Sequence, residues 1–198
     1  MPVNVALTGN IGSGKSTVCC IFQALQIPVY FSDEKAKLFL RNDSVKASIR
    51  ERFGNNVFGP DGSLINKSLA AAVFGNDEGL AFLNNLIHPL VINDYKIWRL
   101  KMAASPYTIL ESAIIFESSL ESLFDHIIYV YCPQETRMKR IIQRDSTTRE
   151  LVQKRFDAQL SDEEKIKRSD TIIYNDDTQI LIPQVLQIDA ALKIIQTL

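Results

Sequence analysis

Residues 5–18 read VALTGNIGSGKSTV. A short apolar run passes into a glycine-rich turn, and a lysine with two hydroxyl residues then opens a second apolar run, VCCIFQAL at 18–25. Gly9 to Ser16 fit the spacing G-x-x-x-x-G-K-[ST], with Thr17 next. A polyphosphate needs several N–H donors converging on it, and glycine lets the backbone approach without a Cβ in the way. Gly9, Gly12 and Gly14 supply that freedom. A helix beginning near Lys15 aims its positive end at the phosphates. The Lys15 ammonium can bridge the β- and γ-phosphates, and the Ser16 hydroxyl can ligate Mg²⁺. Average residue usage would produce such a match about once in a hundred chains of 198 residues. With a strand before it and a helix after it, the segment is therefore read as an ATP site built from Asn10, Ile11, Gly12, Ser13, Gly14, Lys15, Ser16 and Thr17.

Outward from this loop, short β-rich runs recur between helical patterns: Val3 to Thr8, Pro28 to Phe31, Tyr107 to Glu111, Ile127 to Cys132 and Thr171 to Tyr174. They are nearly continuous in apolar residues, as strands covered on both faces must be. The alternation predicts an α/β fold of the P-loop type, three layers around a five-stranded parallel sheet. The interval from Asp33 to Ser105 carries helical periodicity (Phe82, Leu86, Leu90, then Val91, Tyr95, Trp98) and no convincing strand. It reads as a helical insertion broken by turns at Gly54, Gly59-Pro60 and Asp61-Gly62. Glu135 to Arg168 is also helical in pattern. A single domain results, with a nucleotide core at about 1–32, 106–135 and 169–198, a helical lobe at about 33–105 and a lid at about 136–168.

Composition narrows the class. A net charge of −1 offers no global field for nucleic acid. A hydrophobic share of 46% comes without any run near the roughly 20 apolar residues that a membrane span needs. The amino terminus reads as a first strand and not as a signal peptide, which predicts a cytoplasmic protein. Cys19, Cys20 and Cys132 lack metal-ligand spacing and read as small buried thiols.

Several side chains outside the loop are candidates for chemistry. Asp33, just after the second strand, is either a general base that accepts a proton from an acceptor hydroxyl or, with Ser32, a cap of the next helix. Glu111 ends the third strand, where P-loop proteins often carry an acid that helps hold Mg²⁺. Glu117 is either part of that site or a helix amino-terminal acid. Arg137, Arg140 and Arg144 recur at helical spacing and form either a phosphate-facing stripe of a lid or a solvated face. Arg149 and Arg155 are further candidates. His88 faces either a ligand or the interior. His88-Pro89 fixes a bend that starts or restricts the following helix. No N-K-x-D segment for guanine is present, which turns the reading from GTPases toward a small-molecule kinase.

Together these segments resemble the dephospho-CoA kinase family over most of the chain. VALTGNIGSGKSTV is similar to its opening strand and loop, IPVYFSDEKAK to its acceptor segment and LIHPLV to its CoA-domain signature. ESAIIFES is similar to the segment written D-x-P-L-L-F-E, CPQETRMKRIIQRD to the lid approach, and SDTIIYNDD to the last strand and adenine-side loop. The resemblance implies Asp33 as base for the ribose 3′-hydroxyl, residues 12–17 as the ATP cradle, and Arg140 at the phosphates. It also implies Asn175 on the ATP side, with His88 and Glu111 on the dephospho-CoA side. ATP and dephospho-CoA would be the substrates and Mg²⁺ the cofactor, in a monomer or small homo-oligomer that takes no nucleic acid and no membrane. The chain departs from the family at Phe31, where D-A-D is usual for 31–33, and at Glu111 and Ala113, where Asp and Pro are usual. A nucleotide kinase would instead phosphorylate a nucleoside or its monophosphate in the helical lobe. A P-loop switch would hydrolyse ATP slowly without an acceptor.

Overall fold

The computed structural model describes residues 2–73 and 75–195. They divide into two compact units, one formed by the chain up to Phe31 and from Arg99 onward, the other by Ser32–Trp98.

In the first unit, β1 (Val3–Thr8), β2 (Val29–Phe31), β3 (Tyr107–Glu111), β4 (His126–Tyr131) and β5 (Thr171–Tyr174) form one sheet in the order β2-β3-β1-β4-β5. Every neighbouring pair is parallel. The five expected runs are all strands, with three bounds shifted by one residue: β2 starts at Val29, and β4 runs from His126 to Tyr131. β2 starts at Val29 because Pro28 can offer only its carbonyl, which accepts from the Ile109 N–H at 3.0 Å. β4 starts one residue earlier than expected because His126 pairs with Val5 and its ring Nε2 lies 2.8 Å from Thr171 Oγ1.

All residues of β1 and β3 are buried, which is why their sequences are mostly apolar and lack an exposed polar face. Val3, Val5 and Leu7 share one cluster with Val18, Cys19 and Phe22 of α1 (Lys15–Ala24) and Val185, Ile188 and Leu192 of α9 (Leu181–Ile195). Each such aliphatic side chain contributes about 1.5–3 kcal/mol by burial. The opposite face carries Tyr129, whose hydroxyl donates to Asp162 at the start of α8 (Asp162–Lys167). Between β4 and α8 run α6 (Gln134–Asp145) and α7 (Arg149–Asp157). Their Met138, Ile141 and Val152 form a small cluster against Ile11, Ile142 and Phe156. In register, Leu7 and Phe31 both stand opposite Glu111, so the carboxyl ends of β1, β2 and β3 are level. Among the thiols Cys19 and Cys132 are buried but Cys20 is exposed, because α1 turns only one face to the sheet.

The second unit is helical: α2 (Ser32–Phe39), α3 (Asp43–Phe53), α4 (Asn66–Val73) and most of α5 (Asp77–Lys101). The turns fall at the expected glycines. Gly62 N–H donates to the Gly59 carbonyl at 2.9 Å, and Asp61 Oδ1 accepts from the Ser63 N–H at 3.0 Å. Pro89 does not start a helix, contrary to the expectation at His88-Pro89; α5 runs through it. Proline forfeits one hydrogen bond and crowds the carbonyl four residues back. Ile87, Val91 and Tyr95, four apart, bury one stripe on both sides of it, and that burial holds the two halves in one helix. Among the described residues no helix is long and apolar enough to cross a membrane.

Candidate active site: the phosphate-binding loop

β1 ends at Thr8 and α1 begins at Lys15, leaving a six-residue turn, Gly9 to Gly14. The chain reverses in it through Gly12 (φ 80°) and Gly14 (φ 91°), both in the left-handed region. Gly14 is also the residue that precedes the first turn of α1. The first N–H groups of any helix lack intrahelical acceptors, which is what a phosphate oxygen requires. Lys15 is held at the same place: its ammonium donates to the Gly9 carbonyl at 2.9 Å and lies 3.9 Å from Glu111 Oε1. Ser16 and Thr17 follow, exposed in the first turn.

A side chain at Gly14 has no room. A Cβ there would sit 2.1 Å from Asn175 Nδ2, the atom that donates to the Ser13 carbonyl at 2.7 Å. Gly14→Ala therefore loses that bond and adds the left-handed penalty, together about 2–3 kcal/mol. We expect Tm to fall by about 5 °C or more in a thermal melt; an unchanged Tm would show that Asn175 gives way freely and does not brace the loop.

The arginines of α6 do not act as one stripe. Arg137 is 3% exposed; its Nη2 lies 2.7 Å from Asp162 Oδ2 and its Nε donates to the Cys132 carbonyl. It is a structural group, because a buried guanidinium needs a carboxylate to offset its lost hydration. Arg140 stands beside the loop, with Nη1 3.8 Å from the position of a Gly14 Cβ and Nη2 2.7 Å from Asp177 Oδ1. Its other contact is Cys132 Sγ at 3.4 Å. Burial raises the Cys132 thiol pKa, while Arg140 and Arg137 pull it back. Arg144 and Arg155 both meet Asp145, whose carboxyl they pull down to about 2, chiefly through hydrogen bonds. Arg149 meets Glu135. These last pairs lie on the surface, where ion pairs contribute little.

Asn175 and Arg140 thus gather at the loop with Lys15 and Glu111. Asn10 and Ile11 belong to the same loop, but the Asn10 side-chain amide N–H₂ and the Ile11 backbone N–H are engaged within the protein. Asn10 Nδ2 donates to Asp162 Oδ1 at 2.8 Å, and the Ile11 N–H donates to Gln159 Oε1 at 2.9 Å. Glu117 lies in a turn and heads no helix. Its Oε1 lies 2.6 Å from the ammonium of the fully buried Lys165 and accepts from the Leu160 N–H at 3.2 Å. Burial lowers the Lys165 pKa, and Glu117 opposes that shift. Asp33 is in the first turn of α2, two residues past the end of β2. His88 is half-buried in α5, and burial lowers its imidazole pKa. Gln159, Asp162 and Lys165 carry no sequence signal of their own, because their partners are far away in the chain.

A family model described as dephospho-CoA kinase matches residues 3–180. The dephospho-CoA kinase of Bacteroides fragilis is 36% identical over 194 residues, 97% of this chain and 94% of that one. Among solved structures, a Thermus thermophilus protein superposes with TM-score 0.86 at 31% identity, covering 96% of this chain and 97% of that one. Dephospho-CoA kinase from Campylobacter jejuni gives 0.71 at 27% identity, covering 98% of each. The chain belongs to the dephospho-CoA kinase family, the ATP-dependent kinases that phosphorylate the ribose 3′-hydroxyl of dephospho-CoA in the last step of coenzyme A synthesis.

Proposed function

We propose that the γ-phosphoryl group of ATP is transferred at the loop Gly12–Thr17, with Lys15, Arg140 and Asp33 carrying the chemistry. The observation that carries this reading is the position of Lys15, its ammonium fixed between the Gly9 carbonyl and Glu111 at the first turn of α1. Gly12 to Thr17 hold the triphosphate through backbone N–H groups and hydroxyls. Lys15 and Arg140 face the charge that spreads over the transferring group. Asn175, bonded to the Ser13 carbonyl, keeps the adenine-side loop against this cradle.

In the transfer the bond from the γ-phosphorus to the β,γ-bridging oxygen breaks, and a bond from the ribose 3′-oxygen to that phosphorus forms. The hydroxyl proton passes to the Asp33 carboxylate, and ADP and CoA leave. Asp33 follows the end of β2 by two residues, and β2 ends level with Glu111. The helical unit takes dephospho-CoA, with His88 and Glu111 on the acceptor side, and the region 136–168 acts as a lid.

Mg²⁺ fits the donors at hand. Ser16 Oγ and the Glu111 carboxylate are hard oxygen ligands, and the described residues hold no group of three or more His, Cys, Asp or Glu that could bind a metal unaided. That is the pattern for an ion that arrives with the nucleotide and keeps its phosphate ligands. Bound there, it would neutralise charge on the β- and γ-phosphates. We place the enzyme in the cytoplasm as a monomer or small homo-oligomer.

The test is ADP release by purified protein with ATP, with and without Mg²⁺, offered dephospho-CoA, adenosine, AMP or no acceptor, and the product mass checked. Release driven by dephospho-CoA alone, and lost on chelation, is the expected result. Stimulation by AMP or adenosine would replace this reading with a nucleotide kinase, and acceptor-independent release would replace it with a switch.

A further inference from the structure

The carboxyl side of the lid region holds the phosphate loop from behind. Gln159 Oε1 accepts from the Ile11 N–H at 2.9 Å. Asp162 is a hub: its Oδ1 accepts from Asn10 Nδ2 at 2.8 Å and from the Tyr129 hydroxyl, and its Oδ2 accepts from Arg137 Nη2 at 2.7 Å. The Leu160 carbonyl adds a longer contact to Asn10 Nδ2, 3.3 Å.

This turn is itself anchored. The Leu160 N–H donates to Glu117 Oε1, and that carboxylate is locked to the buried Lys165, whose ammonium also reaches the Ala113 carbonyl at 3.4 Å. A buried lysine with a carboxylate partner is expensive to move, because either charge left alone in the interior would be unpaired. The turn 159–162 is therefore the anchored end of the lid region, which leaves lid movement to the residues before it, and Asn10-Ile11 is bound to that anchor.

We infer that Gln159 is a positioning residue for ATP: by taking the Ile11 N–H, it turns the Asn10-Ile11 segment away from the ligand and sets where the N–H groups from Gly12 onward converge. The inference rests on the reading that residues 12–17 hold the phosphates. Asp162 serves the same anchor, but its removal would strand the buried Arg137 charge, so Gln159 is the residue to change.

Gln159→Met keeps the length and removes the acceptor, while Gln159→Glu keeps an acceptor oxygen. In initial-rate kinetics of the full chain, Gln159→Met should raise KM for ATP about tenfold with KM for dephospho-CoA within about twofold, and Gln159→Glu should recover most of the loss. A purely structural role would lower Tm and act on both substrates alike. A parent-like KM for ATP in the Met variant, equal rises in both KM values, or a Glu variant no better than Met would each overturn the inference. Lys15→Met separates this from failure of the underlying reading: if it keeps turnover the loop does not hold ATP, and if it loses turnover while Gln159→Met matches the parent, only the positioning role is wrong.

Discussion

Lys15→Met is expected to lower kcat/KM for ATP by about 10³ while the protein stays folded. The ammonium sits at the start of α1, 2.9 Å from the Gly9 carbonyl and 3.9 Å from Glu111, with a side chain only 12% exposed. In a site this dry its charge is poorly screened, and its interaction with a transferring phosphoryl group is strong. Methionine fills the space of the stem and removes the charge, so packing is retained. Glu111 loses one cationic neighbour, which should cost stability, but a drop in Tm of more than about 10 °C would exceed what one such pair contributes and would make the kinetic result uninterpretable as chemistry. Arginine is not an equivalent replacement: its planar fork is bulkier than the ammonium, and Lys15→Arg should recover little. The assay is steady-state ADP release with dephospho-CoA saturating and ATP varied. Turnover within about tenfold of the parent would remove Lys15 from the catalytic set and, with it, the reading of the loop as the ATP site.

The features legible in the sequence were the local ones. The phosphate loop announces itself because its constraints are imposed within eight residues: glycines where φ is positive, and a lysine and a hydroxyl in the first helical turn. The five strands were legible because a parallel sheet covered on both faces demands nearly continuous apolar runs, as in β1 and β3. What escaped was tertiary. Arg137, Arg140 and Arg144 share one helical spacing, yet one is buried with Asp162, one stands at the loop and one lies on the surface. Spacing gives the face of a helix and not its depth. Neither reading of Glu117, site acid or helix-terminal acid, anticipates Lys165, because nothing near it in sequence reveals that partner. The Ile11 to Gln159 bond spans 148 residues and leaves no periodic trace in either segment. At Pro89 a strong local rule was overridden by the burial of Ile87, Val91 and Tyr95 on both sides.

Asp33→Asn is expected to lower kcat by about 10²–10⁴ with little change in either KM, the size of a lost general base. The substitution is chosen because it separates the two readings that the sequence leaves open. Ser32 begins α2 and Asp33 lies in its first turn, where an acidic side chain also favours the helix. Asparagine is as good as aspartate at a helix cap, so a capping role predicts near-parent activity and at most about 1 kcal/mol lost through the helix dipole. A base reading predicts the opposite. The amide can still accept a hydrogen bond from the ribose 3′-hydroxyl and orient it, which preserves binding, but it cannot take the proton. Asp33→Glu keeps the carboxylate on a stem one methylene longer and should fall between the parent and Asn. The position of β2 gives the idea its footing: Phe31 pairs with Glu111, which also pairs with Leu7 just before the loop, and Asp33 follows Phe31 by two residues. If Asp33→Asn turns over at the parent rate, the carboxylate is a helix-start residue and the base must be sought among the other acids of the acceptor side.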